Sequence, residues 1–211
     1  MNDNKYIRLF KKYEFNTGDI LLFHGEDYFF SYVIEFFDKS PYSHIGIILK
    51  DPIYINPKLK GYYLLESGTE TFPDAENNEK KFGVQISSLE KIFDDYTGKI
   101  YYRKLHCNRD NDFYTNLKKA HSIVHNRPYD LNPIDWIKAA FHIKTGNEQK
   151  KTTFWCSALT SFIYVMLNFL PNDIPWTIIA PIDFSQNKRS VLKDKFKHCS
   201  LDDEILVLSN N

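Results

Sequence analysis

At 211 residues, with 43% apolar and 16% aromatic side chains, the chain is long enough for one sizeable core and short for two. Its 27 Lys and Arg balance 27 Asp and Glu, so no net field gathers phosphate backbones, and nucleic acid is not an expected partner. The stretch MNDNKYIRLFKKYEF scatters charge where a signal peptide carries an apolar run, and Pro171 stops FIYVMLNFL short of membrane-spanning length, so a cytoplasmic protein without a transmembrane segment is expected.

In chain order, YEFNTGDILLF reads as a turn at Asn16-Thr17-Gly18-Asp19 feeding a short buried strand, Ile20 to Phe23. DYFFSYVIEFF is apolar around most of its circumference and ends before Pro41, which predicts a short buried helix. YSHIGIILK and GYYLLES are β-rich runs separated by a stretch holding Pro52, Asn56 and Pro57, and are expected to pair antiparallel. NEKKFGVQISSL supplies another strand, SLEKIFDDYTG a short helix capped by Ser88, and KIYYRKL a further strand. Residues 109–126 read as helical, as does NPIDWIKAAFHI with Pro133 near its first turn. The CSALTSFIYVML helix follows, then a Pro-punctuated loop, and DEILVL returns as a last strand. This order predicts an α+β domain over residues 1–211, with an antiparallel sheet and helices in the middle of the order.

Cys107, Cys156 and Cys199 are odd in number and irregularly spaced. That is no disulfide framework, and it suits a reducing interior. Cys156 alone has a helix-start setting. With Thr152 or Thr153 as N-cap it falls in the first turn, where unpaired N–H groups and the helix dipole favour a thiolate and can receive an oxyanion. A packed core thiol is the competing reading, because Ala158, Leu159, Phe162 and Ile163 already form an apolar face.

A thiol nucleophile needs a base, and His44 is the best candidate. Alternation in SHIGIIL puts His44, Gly46 and Ile48 on one face, with the glycine leaving room beside the histidine. A register in which paired residue numbers sum to about 110 sets Glu66 of YYLLES opposite His44, with Cβ atoms roughly 5 Å apart. A carboxylate there orients the imidazole and stabilises imidazolium, whereas a slip of one residue turns Glu66 away.

Other constellations are weaker. His121 and His125 stand four apart on a helix, a spacing that can share a metal, but HSIVH lacks the glutamate of H-E-x-x-H and no C-x-x-C is present. The ordinary reading is a surface helix face, and no metal is expected. No Gly-rich phosphate loop implies a nucleotide, so no cofactor is expected. The basic run NKRSVLKDKFKH can touch anionic lipid peripherally, a solvated face being its ordinary reading.

Taken in order, GDILLF, SHIGIIL, LLES, RPYD and FWCSALTSFIY resemble the circularly permuted branch of the NlpC-type papain-like cysteine hydrolases, the YiiX/YaeF-like group with relatives in large DNA viruses. The resemblance spans about Asn16 to Tyr164 and implies a permuted papain-like fold, in which the histidine strand precedes the cysteine helix and the sheet packs on a helical layer that carries the nucleophile. It implies Cys156 as nucleophile, His44 as base, Glu66 as orienting group and Tyr129 as a residue lining the substrate pocket or aiding the oxyanion. Ala158 departs from the pattern, since many relatives carry an acidic residue there. A viral origin would move the expected location to host cytoplasm or virion.

The function that follows is hydrolysis or acyl transfer at an amide, thioester or ester through a thioester acyl-enzyme. A peptide, an acylated protein or a lipid is the expected substrate. The alternative is a non-enzymatic interaction protein that keeps the fold with an idle site.

Overall fold

The computed structural model describes residues 5–25, 41–68, 71–128, 155–188 and 190–210. The DYFFSYVIEFF and NPIDWIKAAFHI segments lie outside them, as do Tyr129, Thr152 and Thr153.

Strands β1 (Ile20–His24), β2 (His44–Lys50), β3 (Tyr62–Gly68), β4 (Gly83–Ser88), β5 (Gly98–Arg103) and β8 (Ile205–Asn210) form one sheet in the order β4-β3-β2-β1-β5-β8. Every pairing in it is antiparallel, and a bulge interrupts β5 and β8 at Ile100/Tyr101. Two short strands, β6 (Leu105–His106) and β7 (Ser200–Leu201), make a separate ladder. The helices are α1 (Lys5–Lys12), α2 (Leu89–Asp95), α3 (Asn111–Val124) and α4 (Cys156–Met166), with 3-10 turns at Trp176–Ile178 and Pro181–Phe184. Among the described residues, no helix is long and apolar enough to cross a membrane. The architecture is α+β, as the element order predicts.

Helices cover both faces of the sheet. Ile20, Leu22, Ile45, Ile47 and Leu49 join one core with Leu159, Phe162 and Ile163 of α4 and Leu117 of α3. Leu21, Phe23, Ile48 and Leu64 join a second core with Phe10 of α1 and Phe93 of α2. This explains why Ile20-Leu21-Leu22-Phe23 does not alternate: each side chain has a dry partner on one face or the other, at roughly 1.5–3 kcal/mol per fully buried side chain. Of this second helical layer, α2 was expected from the sequence and α1 was not, since α1 is short and carries four charged residues among its eight.

Asp19 explains the Gly-Asp pair at the head of β1. Its carboxylate is fully buried and accepts from Tyr102 Oη (2.8 Å), the Leu105 N–H (2.9 Å), the Asn16 N–H (2.8 Å) and Arg109 (3.0 Å). Burial pushes its pKa up against the pull of these donors. The neighbouring Gly18 carbonyl accepts from Tyr164 Oη of α4 at 2.7 Å, so one turn fixes both the start of β1 and the seating of α4.

Two local expectations change. Ser88 occupies the cap position of α2 but makes no side-chain cap bond. Trp155, in extended conformation, is the N-cap residue of α4, which puts Cys156 at its first helical position, later in the chain than a threonine cap would start the helix.

Candidate active site

His44 opens β2 and Glu66 lies near the end of β3. The observed ladder pairs Ile47 with Leu65 and Lys50 with Tyr62, two residues away from the expected register. Continuing it sets Gly46 across from Glu66. An even displacement keeps both side chains on one face, and a diagonal neighbour on that face is within reach of long side chains. The imidazole and carboxylate therefore still meet: His44 Nε2 lies 2.7 Å from Glu66 Oε2.

The carboxylate is held from its other side as well. Ser87 Oγ donates to Glu66 Oε1 at 2.5 Å, Gln85 Nε2 lies 3.4 Å from the same oxygen, and Gln85 Nε2 donates to Ser87 Oγ at 3.0 Å. Both side chains come from β4, where Gln85 pairs with Glu66. The sequence reading missed them, although period-two alternation in GVQISS already puts Gln85 and Ser87 on one face of a strand.

Gly46 does not open a cleft beside the histidine as its small size suggested. A Cβ there would lie 2.6 Å from Leu64 Cγ, so the space above the glycine is filled by a leucine from β3. Gly46 lets Leu64 pack over β2 next to the carboxylate.

Cys156 packs at the head of α4, which runs along β2 and β3. Its thiol acts on the charge of the His44 imidazole. The three side chains are nearly dry, at 4% exposure for Cys156, 6% for His44 and 7% for Glu66. Burial alone would lower the His44 pKa. Interaction with Cys156 and with Glu66 outweighs it and pushes the pKa up to about 10. Burial likewise disfavours the Glu66 anion, but the His44 bond and charge, with Ser87 and Gln85, hold its pKa below the ordinary 4.5. The arrangement thus favours an ionised carboxylate beside an imidazolium.

Helix α4 is fixed along its length. Ser157 Oγ donates to the Ile179 carbonyl (2.7 Å), Thr160 Oγ1 to the Cys156 carbonyl (3.1 Å) and Ser161 Oγ to the Ser157 carbonyl (2.7 Å). The first-turn N–H groups have no partners within the helix, so the thiol sits beside backbone donors. Trp155, also buried, has an indole N–H with no hydrogen-bond partner among the described residues. Both other thiols stand apart from this setting: burial raises the Cys107 pKa and, with the nearby Cys107 thiol, pushes Cys199 up to about 12.

No protein-family model matches the chain, and no curated protein matches it. Among solved structures it is similar to the crystal structure of metalloprotein yiiX from Escherichia coli O157:H7 (DUF1105), with a TM-score of 0.44 and 18% sequence identity. That similarity covers 71% of this chain and 64% of the other, so the chain spans less than two thirds of that protein.

Proposed function

We propose that the chain is a cysteine-dependent hydrolase or acyltransferase with Cys156, His44 and Glu66 as its triad. The observation that carries this reading is the buried Glu66–His44 pair at 2.7 Å, with the buried Cys156 thiol raising the pKa of the same imidazole. With Nε2 committed to Glu66, Nδ1 is the ring nitrogen left to serve the thiol. The order of the elements, histidine strand before cysteine helix, is the one a permuted papain-like chain requires.

The thiolate attacks a carbonyl carbon of an amide, thioester or ester, and the carbonyl π electrons move to oxygen. First-turn N–H groups of α4 hold that oxyanion. As the tetrahedral intermediate collapses, His44 gives its proton to the departing nitrogen, sulfur or oxygen, leaving a thioester on Cys156. Neutral His44 then takes a proton from water or another acceptor, whose attack releases the acyl group and restores the thiol. Glu66 keeps the ring in register and stabilises imidazolium. Tyr129 is proposed to line the substrate pocket. The substrate class is a peptide, an acylated protein or a lipid.

The test is a series of electrophilic probes bearing peptide, fatty-acyl and lipid recognition groups, offered to the wild-type chain and to Cys156→Ala. Selective labelling of Cys156, with one probe class preferred, is expected. Equal labelling of Cys107 and Cys199, or labelling that survives Cys156→Ala, would remove the proposal.

A further inference from the structure

The sequence treated His121 and His125 as a solvated helix face without a third ligand. In the structure His121 is buried, and a third ligand arrives from a distant loop. Glu76 Oε2 lies 2.9 Å from His121 Nε2 and 3.4 Å from His125 Nε2, and one ligand atom from each of the three residues falls within 4.8 Å of the others. The two imidazoles, one turn apart on α3 and at its C-cap, stack with centroids 5.0 Å apart.

We propose that Glu76, His121 and His125 bind a divalent transition metal of the zinc type. Ligands 2.0–2.1 Å from a tetrahedral zinc ion lie about 3.3 Å from one another, so the two measured separations need only small adjustment. Two imidazoles and one carboxylate suit zinc and its first-row neighbours better than calcium or magnesium, which take oxygen ligands. The His125 Nε2 atom is buried, makes no hydrogen bond among the described residues and lies nearest the Glu76 carboxylate at 3.4 Å. The His125 side chain as a whole keeps 33% exposure, which leaves solvent a path to a fourth, water-filled position.

Both arms of the site are built on β4. The Glu76 loop is held by Ala75 N–H donating to the Ile86 carbonyl (2.8 Å) and by the buried Asp74, whose Oδ1 accepts from the Glu76 N–H (3.1 Å) and the Ile86 N–H (3.3 Å). The end of α3 is held by Val84 N–H donating to the Arg127 carbonyl at 2.9 Å. Gly83 permits that approach: its φ is +154°, and a Cβ there would meet the Arg127 carbonyl oxygen at 2.3 Å. Lys81 bridges the two arms, pairing with Asp74 and donating to Asn126 Oδ1 at 2.5 Å. The ligands are thus positioned before any cation arrives.

This site does not depend on the proposed triad, and its test reads metal directly. The full chain, purified without a tag, is titrated with Co(II) and then challenged with zinc in competition with a chromogenic chelator. One equivalent of Co(II) should bind with visible ligand-field bands and no thiolate charge-transfer intensity, and zinc should displace it. Glu76→Gln and His125→Asn should each weaken zinc binding at least about tenfold, while Cys156→Ser binds like wild type. Circular dichroism checks that the variants are folded. As a second readout, zinc should raise the thermal midpoint of wild type and leave that of Glu76→Gln unmoved. Absence of stoichiometric uptake by the wild type, thiolate bands, or unchanged affinity in both folded variants would overturn the proposal and leave the trio as an ion pair that closes the loop.

Discussion

Replacing Glu66 by Gln removes one charge from a buried pair while keeping its shape. The carboxamide oxygen can still accept from His44 Nε2, and Ser87, a hydroxyl, can turn to accept from the new amide. What is lost is the anion that helps hold the His44 proton. An opposite charge this close moves a pKa by about 1–3 units, so His44 should fall from about 10 to roughly 7–9. At 1.36 kcal/mol per unit, the pairing lost is about 1.4–4 kcal/mol.

The sign follows from the two states of the chain. The folded imidazole keeps its proton up to about pH 10, and an ordinary one only to 6.5. The contribution of His44 to stability is therefore fully present below pH 6.5 and is lost as pH rises through 10. Glu66 has a lowered pKa, so its contribution is present above 4.5 and is lost as pH falls through its depressed folded value. Glu66→Gln should cost most between about pH 5 and 6.5 and least near pH 10. Histidine-selective NMR titration, with the His44 resonance assigned by its loss in His44→Gln, reads the first effect, and urea unfolding at several pH values reads the second. A His44 midpoint that does not move in Glu66→Gln would refute the argument, as would a wild-type midpoint near the ordinary value.

Cys156→Ala should abolish turnover and selective alkylation, at a stability cost of about 1 kcal/mol because the thiol is buried but small; iodoacetamide mapping and thermal unfolding check both parts. Gly46→Ala should destabilise by about 1–3 kcal/mol by pressing on Leu64, and combining it with Leu64→Ala should cost less than the sum of the two, as a double-mutant cycle in urea would show. Tyr164→Phe leaves the Gly18 carbonyl without its donor and should cost about 1–2 kcal/mol in thermal unfolding.

The sheet was legible where apolar pattern and turn residues agreed, as in GDILLF, SHIGIIL and GVQISS, because β propensity and burial act locally there. The His44–Glu66 meeting was legible for the same reason: the period of two preserves the face even when the register is misjudged by two residues. The support from Gln85 and Ser87 depends on which strand neighbours β3, and sequence does not fix that pairing. Glu76 was invisible as a partner of His121 because their meeting depends on a loop folding back on β4, a long-range event with no periodic signature. The start of α4 was misplaced because cap propensity favours threonine over tryptophan, whereas tertiary packing decides the boundary here.

The seating of α4 against the Gly18 carbonyl also bears on how the chain folds. Strands β1 to β4 are neighbours in sequence order, so their pairing closes comparatively short loops. Bringing Cys156 to His44, by contrast, closes a loop of about 110 residues, with a correspondingly larger entropic cost. The meander should therefore form before the thiol reaches its histidine. During synthesis, an emerging chain would present a finished β1–β4 meander well before α4 docks and brings Cys156 to His44.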